Sequence, residues 1–136
     1  MQLQIQTHTT IWELQNKFSD YFPFLKIEFF KGGPVMSEIP EQLLHPSVRV
    51  SKATQGKFKT GALTFSPRTT VAELEESFEK TFNLKVQVFR RSGELWLETT
   101  ATDNWTLDQQ NKHGMESTIT ASGTETGDYD LNRDNN

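Results

Sequence analysis

The sequence predicts an α+β fold made of two tandem βαββ repeats that share a mixed sheet. The first observation is that a pattern of apolar and cap residues near the start recurs about sixty residues later. The second is that each copy runs from an alternating strand through a capped amphipathic helix into a second strand. The third is a turn containing glycine after that second strand, which indicates a short return strand.

Nine positions of the first copy match nine positions of the second. The matched residues are Leu3, Ile5, Thr9, Thr10, Ile11, Glu13, Leu14, Phe18 and Phe22 in the first copy, and Leu63, Phe65, Thr69, Thr70, Val71, Glu73, Leu74, Phe78 and Phe82 in the second. After a shift of one residue, LKIEFFKGG at 25–33 matches LKVQVFRRSG at 84–93. Nearly all of these positions belong to cores, caps or turns, so the repeat predicts architecture and says nothing about chemistry.

The elements of the first copy follow from local patterns. Residues 2–7 alternate apolar side chains with glutamines, which predicts a half-buried strand. Residues 10–13 have the spacing of a capping box, and the apolar stripe after them predicts a helix that ends at Pro23. Residues 25–31 form the next predicted strand, and a diglycine turn leads to a return strand at 35–38.

The second copy repeats this order. Residues 62–66 form the predicted first strand, and residues 70–73 form the capping box of a helix with the same apolar stripe. The next strand covers 84–88, and a Ser-Gly turn leads to a return strand at 94–98.

Three further segments connect or follow the copies. Residues 48–51 form a predicted strand, and a Gln-Gly turn leads to a second strand at 57–65. Residues 103–114 form a predicted short helical turn, begun by a Thr106 or Asn104 cap and ended by Gly114. Residues 117–121 are a predicted final strand.

The predicted organisation has three parts. Residues 1–60 form the first repeat with a basic connecting hairpin, and residues 61–121 form the second repeat with the terminal turn and strand. Residues 122–136 form a disordered acidic tail, because Gly, Thr, Asp and Asn dominate there.

Residues 61–121 resemble the later part of a ubiquitin-like β-grasp domain. A strand leads through Pro-Arg-Thr-Thr at 67–70 into a helix, then a strand, a tight turn and a short strand follow. Residues 106–119 resemble the short 3₁₀ turn and last strand of that family, and residues 48–65 supply its opening hairpin. The resemblance implies a β-grasp-like fold, with a ferredoxin-like arrangement as the alternative. Because the sequence ends without the Gly-Gly of conjugating modifiers, the resemblance implies a non-conjugating scaffold or binding module.

Composition narrows the class of protein further. The 136 residues include ten Phe and three Trp but no Cys, which excludes disulfides, zinc–thiolate sites and thiol nucleophiles. No run of eighteen apolar residues occurs, so we expect no membrane partner. The N-terminus lacks the regions of a signal peptide, which makes a cytoplasmic location the default expectation. The net charge of −4 belongs to residues 116–136, since residues 1–115 hold thirteen acids and thirteen bases.

The sequence predicts no catalytic, cofactor or metal site. His8, His45 and His113 do not have metal-ligand spacing, and we interpret them as surface residues. Asp103 beside His113 would be an acid–base pair without a nucleophile motif. The other carboxylates of the second helix are interpreted as a solvated face: Glu75, Glu76 and Glu79. We therefore expect no enzymatic activity and no cofactor.

Residues 47–60 are the most basic part of the chain, with four cations and no acid. Cations interleaved with an aromatic residue are typical of surfaces that bind nucleic acid. The candidate nucleic-acid contacts on this predicted hairpin are Arg49, Lys52, Lys57, Phe58 and Lys59. In the other interpretation, the lysines only protect an edge hairpin from pairing.

Aromatic residues outside the two helix stripes are the candidate contacts for a protein partner. They are Trp12, Phe30, Phe89 and Trp96. Phe30 and Phe89 occupy equivalent positions on the strand face opposite the core, and Trp12 has Ala72 as its match. Either the helices cover both sheet faces, or these residues are exposed for a partner. The leading hypothesis is a non-catalytic protein-interaction module, and the alternative is a weak nucleic-acid-binding domain.

Overall fold

The computed structural model has an α+β fold, as predicted, and describes residues 1–30 and 43–123. Its elements in chain order are β1 Gln2–Ile5, α1 Ile11–Tyr21, β2 Leu25–Phe30, α2 Val50–Ala53, β3 Gly61–Thr64, α3 Val71–Phe82, β4 Lys85–Ser92, β5 Leu95–Glu98 and α4 Leu107–Gly123. A 3₁₀ turn at Thr100–Thr102 follows β5. The predicted return strand at 35–38 and the predicted tail from residue 124 lie outside the described residues.

The two predicted capping boxes begin α1 and α3. The Thr10 hydroxyl accepts the Glu13 N–H at 3.2 Å, while the Glu13 carboxylate accepts the Thr10 N–H at 2.8 Å. Thr70 and Glu73 make the same two bonds at 3.1 and 2.8 Å. Each box satisfies N–H groups that the first helical turn leaves without partners. Both helix starts are therefore confirmed.

The strands lie in two sheets, and every pairing between them is antiparallel. One sheet has the order β1-β3, and the other has the order β2-β4-β5. The expectation of one shared mixed sheet is therefore wrong for the described strands. Equivalent strands of the two copies nevertheless pair with each other, β1 with β3 and β2 with β4.

The registers place matched residues opposite each other. Leu3 pairs with its match Leu63, and Glu28 pairs with its match Gln87. Rotating an antiparallel pair by half a turn about the midpoint between two opposite residues superimposes each strand on the other. Within each of these two strand pairs, the strands of the two copies are thus related by a local two-fold axis.

The segment at 48–51 is not the predicted strand. Only Arg49 makes an isolated bridge, with Thr10, and the chain then enters the short helix α2. The reason is that this segment supplies carbonyls to the start of α1: Val48 accepts the Ile11 N–H at 2.9 Å. In the second copy, the Trp105 carbonyl accepts the Val71 N–H at 3.1 Å in the same way. Tertiary bonding at the helix start outweighs the local β-propensity here.

α4 replaces both the predicted short turn and the predicted strand at 117–121. The helix begins at Thr106, one of the two predicted caps, and Gln109 completes a third capping box. It passes through Gly114, which does not end it. The resemblance to β-grasp domains stays a prediction, and at 50–53 and 117–121 the structure has helices where that resemblance would place strands.

One hydrophobic core joins the two copies, and the helices α1, α3 and α4 lie on one face of the three-stranded sheet. α1 packs on β1 and β2, α3 packs on β4, and α4 packs on β4 and β2. The inward residues of β2 and β4 are buried: Leu25, Ile27, Phe29, Val86 and Val88. The residues of opposite parity remain half-buried or exposed: Lys26, Glu28, Phe30, Lys85, Gln87, Phe89 and Arg91. The alternative in which helices cover both faces is therefore wrong for the described residues.

Candidate interaction surface

β5 is a short outer strand whose side chains are all exposed. It pairs with β4 on one side, and among the described strands nothing pairs with its other side, which we call the β5 edge. Leu95 is 66 % exposed, Trp96 36 % and Leu97 39 %. Three large apolar residues in succession at a sheet edge are unusual, because such edges are open to pairing with another strand.

The hairpin geometry points the polar backbone atoms of the β5 edge away from β4. Gly93, with φ 65°, allows the tight turn from β4 into β5. The Arg91 N–H donates to the Phe24 carbonyl at 3.0 Å, on the side of β4 away from β5. Arg91 and its partner Trp96 therefore form a non-hydrogen-bonded pair, and the N–H and C=O of Trp96 point outward. Because the direction of the backbone groups alternates along a strand, the N–H and C=O of Glu98, two residues further on, also point outward.

An aromatic cluster lies next to this edge on the open sheet face. It consists of Lys26, Phe89 and Trp96. The Lys26 Nζ lies 5.0 Å from the centre of the Trp96 ring and 5.6 Å from that of Phe89. The same ammonium is 3.2 Å from the Glu28 carboxylate. The ammonium thus holds two of the four sequence-predicted aromatic residues together, through cation–π contacts.

The other two predicted aromatic contacts lie elsewhere. Phe30 lies on the same face as Lys26 but four residues along β2, where it lines a cavity of about 570 Å³. Trp12 lies on α1, is 58 % exposed, and donates its backbone N–H to the Pro46 carbonyl. The structure therefore brings Phe89 and Trp96 together and leaves Trp12 and Phe30 outside that cluster.

The other free strand edges are less open or less apolar than the β5 edge. Along β1, the Tyr21 hydroxyl bonds both the N–H and the C=O of Gln2, at 3.4 and 3.2 Å. The Gln6 N–H donates to the Thr9 hydroxyl at 2.9 Å. β3 exposes only small residues at its edge, such as Ala62 and Thr64.

The basic segment 47–60 is folded as a helical turn, so the predicted hairpin is wrong. α2 is followed by a turn at Gln55 and Gly56, with φ 56° and 76°. The four cations are all exposed: Arg49, Lys52, Lys57 and Lys59.

These cations do not flank an exposed ring. Phe58 is half-buried and packs against the core. Lys52 and Lys57 lie at the cavity that Phe30 also lines. The segment's role in nucleic-acid binding stays a prediction, based on charge alone.

Glu75 bonds a strand of the sheet, a role that its predicted place on a solvated face did not include. Its carboxylate accepts the Val88 N–H at 3.1 Å, at the point where β4 extends beyond β5. The Thr99 hydroxyl donates to the Val88 carbonyl at 2.9 Å. Burial raises the pKa of Glu75 to about 7; the Val88 bond opposes this rise and the Asp103 carboxylate adds to it. The interpretation of Glu75 as part of a solvated face is therefore wrong.

A signal for Glu75 was present in the repeat. Its match in the first helix is Gln15, whose amide donates to the Ile27 carbonyl of β2 at 3.0 Å. Both copies thus use a polar residue beside the apolar stripe to bond a strand edge. Glu76 does lie on the solvated face, where it pairs with Lys80 at 3.2 Å.

The predicted histidine and acid positions do not converge in the described residues. His8 and His45 are exposed, and His113 packs on the Trp105 ring at 5.4 Å. Asp103 lies near Glu75 and its carbonyl accepts the Ala72 N–H. No group of three or more potential metal-ligating side chains forms within the part of the chain that the structure describes.

Comparison with known proteins gives no relative from which a function can be transferred. No family model, curated protein or solved structure matches this chain. None of the helices in the described ranges is long and apolar enough to cross a membrane.

Proposed function

We propose that this protein is a non-catalytic protein-binding module that adds an extended strand of its partner to β5. The observation that supports the proposal is the β5 edge itself. Its outward N–H and C=O groups lack a neighbouring strand among the described residues, and its side chains include two leucines and a tryptophan. Strand addition at such an edge provides affinity through main-chain hydrogen bonds and specificity through alternate side chains.

The two faces of β5 offer different contacts to a partner. Leu95 and Leu97 point to the helical side of the sheet, because they share the parity of buried Val88 across the β4–β5 register. Trp96 points to the open side, beside Phe89 and Lys26. A strand with apolar residues on one face and an acidic or amide residue opposite Trp96 would match both sides.

Peptide selection on the immobilised full chain tests this proposal. Random displayed peptides of about twelve residues are selected, and the enriched sequences are titrated into the isotope-labelled protein at ~10 μM. We expect the largest amide shift changes at residues 95–98. We also expect Leu97→Lys to weaken binding by about tenfold or more, because it places a charge at the centre of the contact.

Ile119→Lys is the matched control, because Ile119 is an exposed apolar residue on α4, at 58 % exposure. This variant should bind the selected peptides like the unaltered chain. The proposal fails if no sequence is enriched, or if enriched peptides bind the Leu97→Lys protein unchanged and shift amides of another surface.

A further inference from the structure

We infer that the strand added to the β5 edge is β5 of a second copy of this chain, in an antiparallel pair centred on Leu97. This inference rests on the proposed function and names its partner. The pairing would join two three-stranded sheets into one continuous sheet with the order β2-β4-β5-β5-β4-β2. A two-fold pair of this kind covers the exposed edge of both copies at once and leaves no further edge at β5.

The backbone limits the possible registers. Only Trp96 and Glu98 present their N–H and C=O groups at the β5 edge, so the hydrogen-bonded pairs must join these residues to each other. Three symmetric registers meet this condition. The residue on the two-fold axis is Trp96 in the first register, Leu97 in the second and Glu98 in the third.

Charge selects one register of the three. With Trp96 at the axis, Glu94 lies opposite Glu98 of the second copy. With Glu98 at the axis, the two Glu98 carboxylates oppose each other. Like charges directly opposite are destabilising in a sheet. With Leu97 at the axis, Glu98 instead lies opposite Trp96, and neither acid opposes another acid.

The selected register also brings opposite charges together. Arg91 is the β4 partner of Trp96, so Glu98 of the second copy lies two strands from Arg91, a separation of about 10 Å between main chains. The combined lengths of the glutamate and arginine side chains span that gap on the open face. Glu98 of each copy thus lies near Arg91 of the other, so the β5 edges of two copies have complementary charges.

The helical side has room for this arrangement. The two β4 strands would be three strand spacings apart, about 14 Å, and packed helices need only 8–10 Å between axes. The copies of α4 that cover β4 can therefore lie side by side. On this face Leu97 contacts Leu97 of the second copy, and Leu95 lies opposite Thr99.

Cysteine cross-linking tests the register, since the chain contains no cysteine of its own. Residues opposite each other in a non-hydrogen-bonded pair have Cα atoms about 4.5 Å apart, within disulfide range. Under mild oxidation, Leu97→Cys should form a covalent dimer. Leu95→Cys is the matched control, because the two copies of residue 95 would lie about 14 Å apart.

Sedimentation velocity measures the association itself. Four backbone hydrogen bonds and a small apolar contact predict a weak dimer, so the unaltered chain should be monomeric at ~1 μM and largely dimeric at ~500 μM. Glu98→Lys should reduce dimerisation about tenfold or more, because it turns an attraction toward Arg91 into a repulsion. Glu94→Lys makes the same charge change outside the predicted contact and should leave dimerisation unchanged.

Each other outcome overturns the inference. A chain that stays monomeric at ~500 μM, with no faster cross-linking of Leu97→Cys than of Leu95→Cys, excludes the dimer. Stronger dimerisation of Glu94→Lys would indicate the register centred on Trp96 and exclude the one proposed. If the chain stays monomeric but selected peptides still shift the amides of residues 95–98, only the second copy is excluded as the partner. If the chain stays monomeric and no peptide shifts these amides, the proposed function is excluded too.

Discussion

At the scale of the residue, Glu75 makes a hydrogen bond that the fold uses, but burying its carboxylate lowers the free energy of unfolding at neutral pH and above. Its carboxylate bonds the Val88 N–H at a strand end that β5 does not reach. Other charged groups line the same surface depression: Glu76, Glu79, Lys85 and Asp103. Because burial raises the pKa of Glu75 from 4.5 to about 7, the folded chain holds this proton more tightly than the unfolded chain does.

The sign of the pH dependence follows. Well below pH 4.5 Glu75 is protonated in both states, so it adds no pH dependence to the free energy of unfolding. Between pH 4.5 and about 7 the folded chain binds more protons, so the free energy of unfolding decreases as pH rises. Above about pH 7 Glu75 is ionised in both states, so the free energy of unfolding decreases no further through this group. Glu75→Gln removes the ionisation while keeping an oxygen for the Val88 N–H, as Gln15 does in the first copy.

We therefore predict that Glu75→Gln stabilises the protein at pH 8 by about 1 to 2 kcal/mol, less than the full linkage value because the carboxylate is partly solvated. Well below pH 4.5 the variant and the unaltered chain should be equally stable. Urea unfolding at a series of pH values measures both. Glu116→Gln provides the control, since Glu116 is exposed on α4 and this variant should leave the stability at pH 8 unchanged. Equal stability of Glu75→Gln and the unaltered chain at pH 8 would contradict the prediction.

At the scale of the element, α4 shows why one glycine misled the sequence-based prediction. Gly114 has the residue type of a helix terminator, yet it lies within the helix, where α4 approaches Phe24 and Arg90 closely. A Cβ at this position would lie 3.0 Å from the Arg90 Cγ and 3.1 Å from the Phe24 carbonyl oxygen. The glycine is explained by this close approach, which depends on a contact between residues ninety apart in the chain.

This contact gives a second prediction. In an isolated helix, Gly→Ala is stabilising by about 1 kcal/mol. At Gly114 the added Cβ must displace main-chain atoms next to Phe24, whose carbonyl also holds the Arg91 N–H. We expect Gly114→Ala to lower the free energy of unfolding by about 1 to 3 kcal/mol.

Gly61→Ala is the control, because Gly61 has no atom within 4 Å of an added Cβ. That change should be neutral or slightly stabilising in urea unfolding. If Gly114→Ala proves as stable as the unaltered chain, the close packing of α4 on Phe24 is not rigid and the explanation of the glycine is lost.

The elements divide into those that local sequence determines and those that tertiary contacts determine. The capping boxes at Thr10 and Thr70 and the helices after them were predictable, because cap, stripe and end signal lie within a few residues. The β-prone residues 117–121 are helical because α4 propagates from Thr106, and its inward residues Gln110 and Gly114 contact Arg90. Of the proposed interaction surface, Trp96 and Phe89 were predicted, but their separation from Trp12 and Phe30 depends on the register of the strands.

At the scale of the whole molecule, the two copies are interdependent. β1 pairs with β3 and β2 pairs with β4, so each of these strands has its hydrogen-bonded neighbour in the other copy. Side chains cross in the same way: Phe29 of the first copy meets Phe78 of the second with ring centres 5.4 Å apart. Neither copy can lose its structure without leaving strands of the other unpaired, so we expect one cooperative unit.

Native-state hydrogen exchange tests this expectation at matched positions. The amides of Phe18 in α1 and Phe78 in α3 should exchange through the same global opening, with free energies that agree within about 1 kcal/mol. Ile11→Val removes one methylene from the buried start of α1, which costs about 0.5 to 1.5 kcal/mol. In a single cooperative unit, this change in the first copy must lower the protection of Phe78 by the same amount as that of Phe18. A loss confined to Phe18 would mean that the copies open independently, despite the strands that they share.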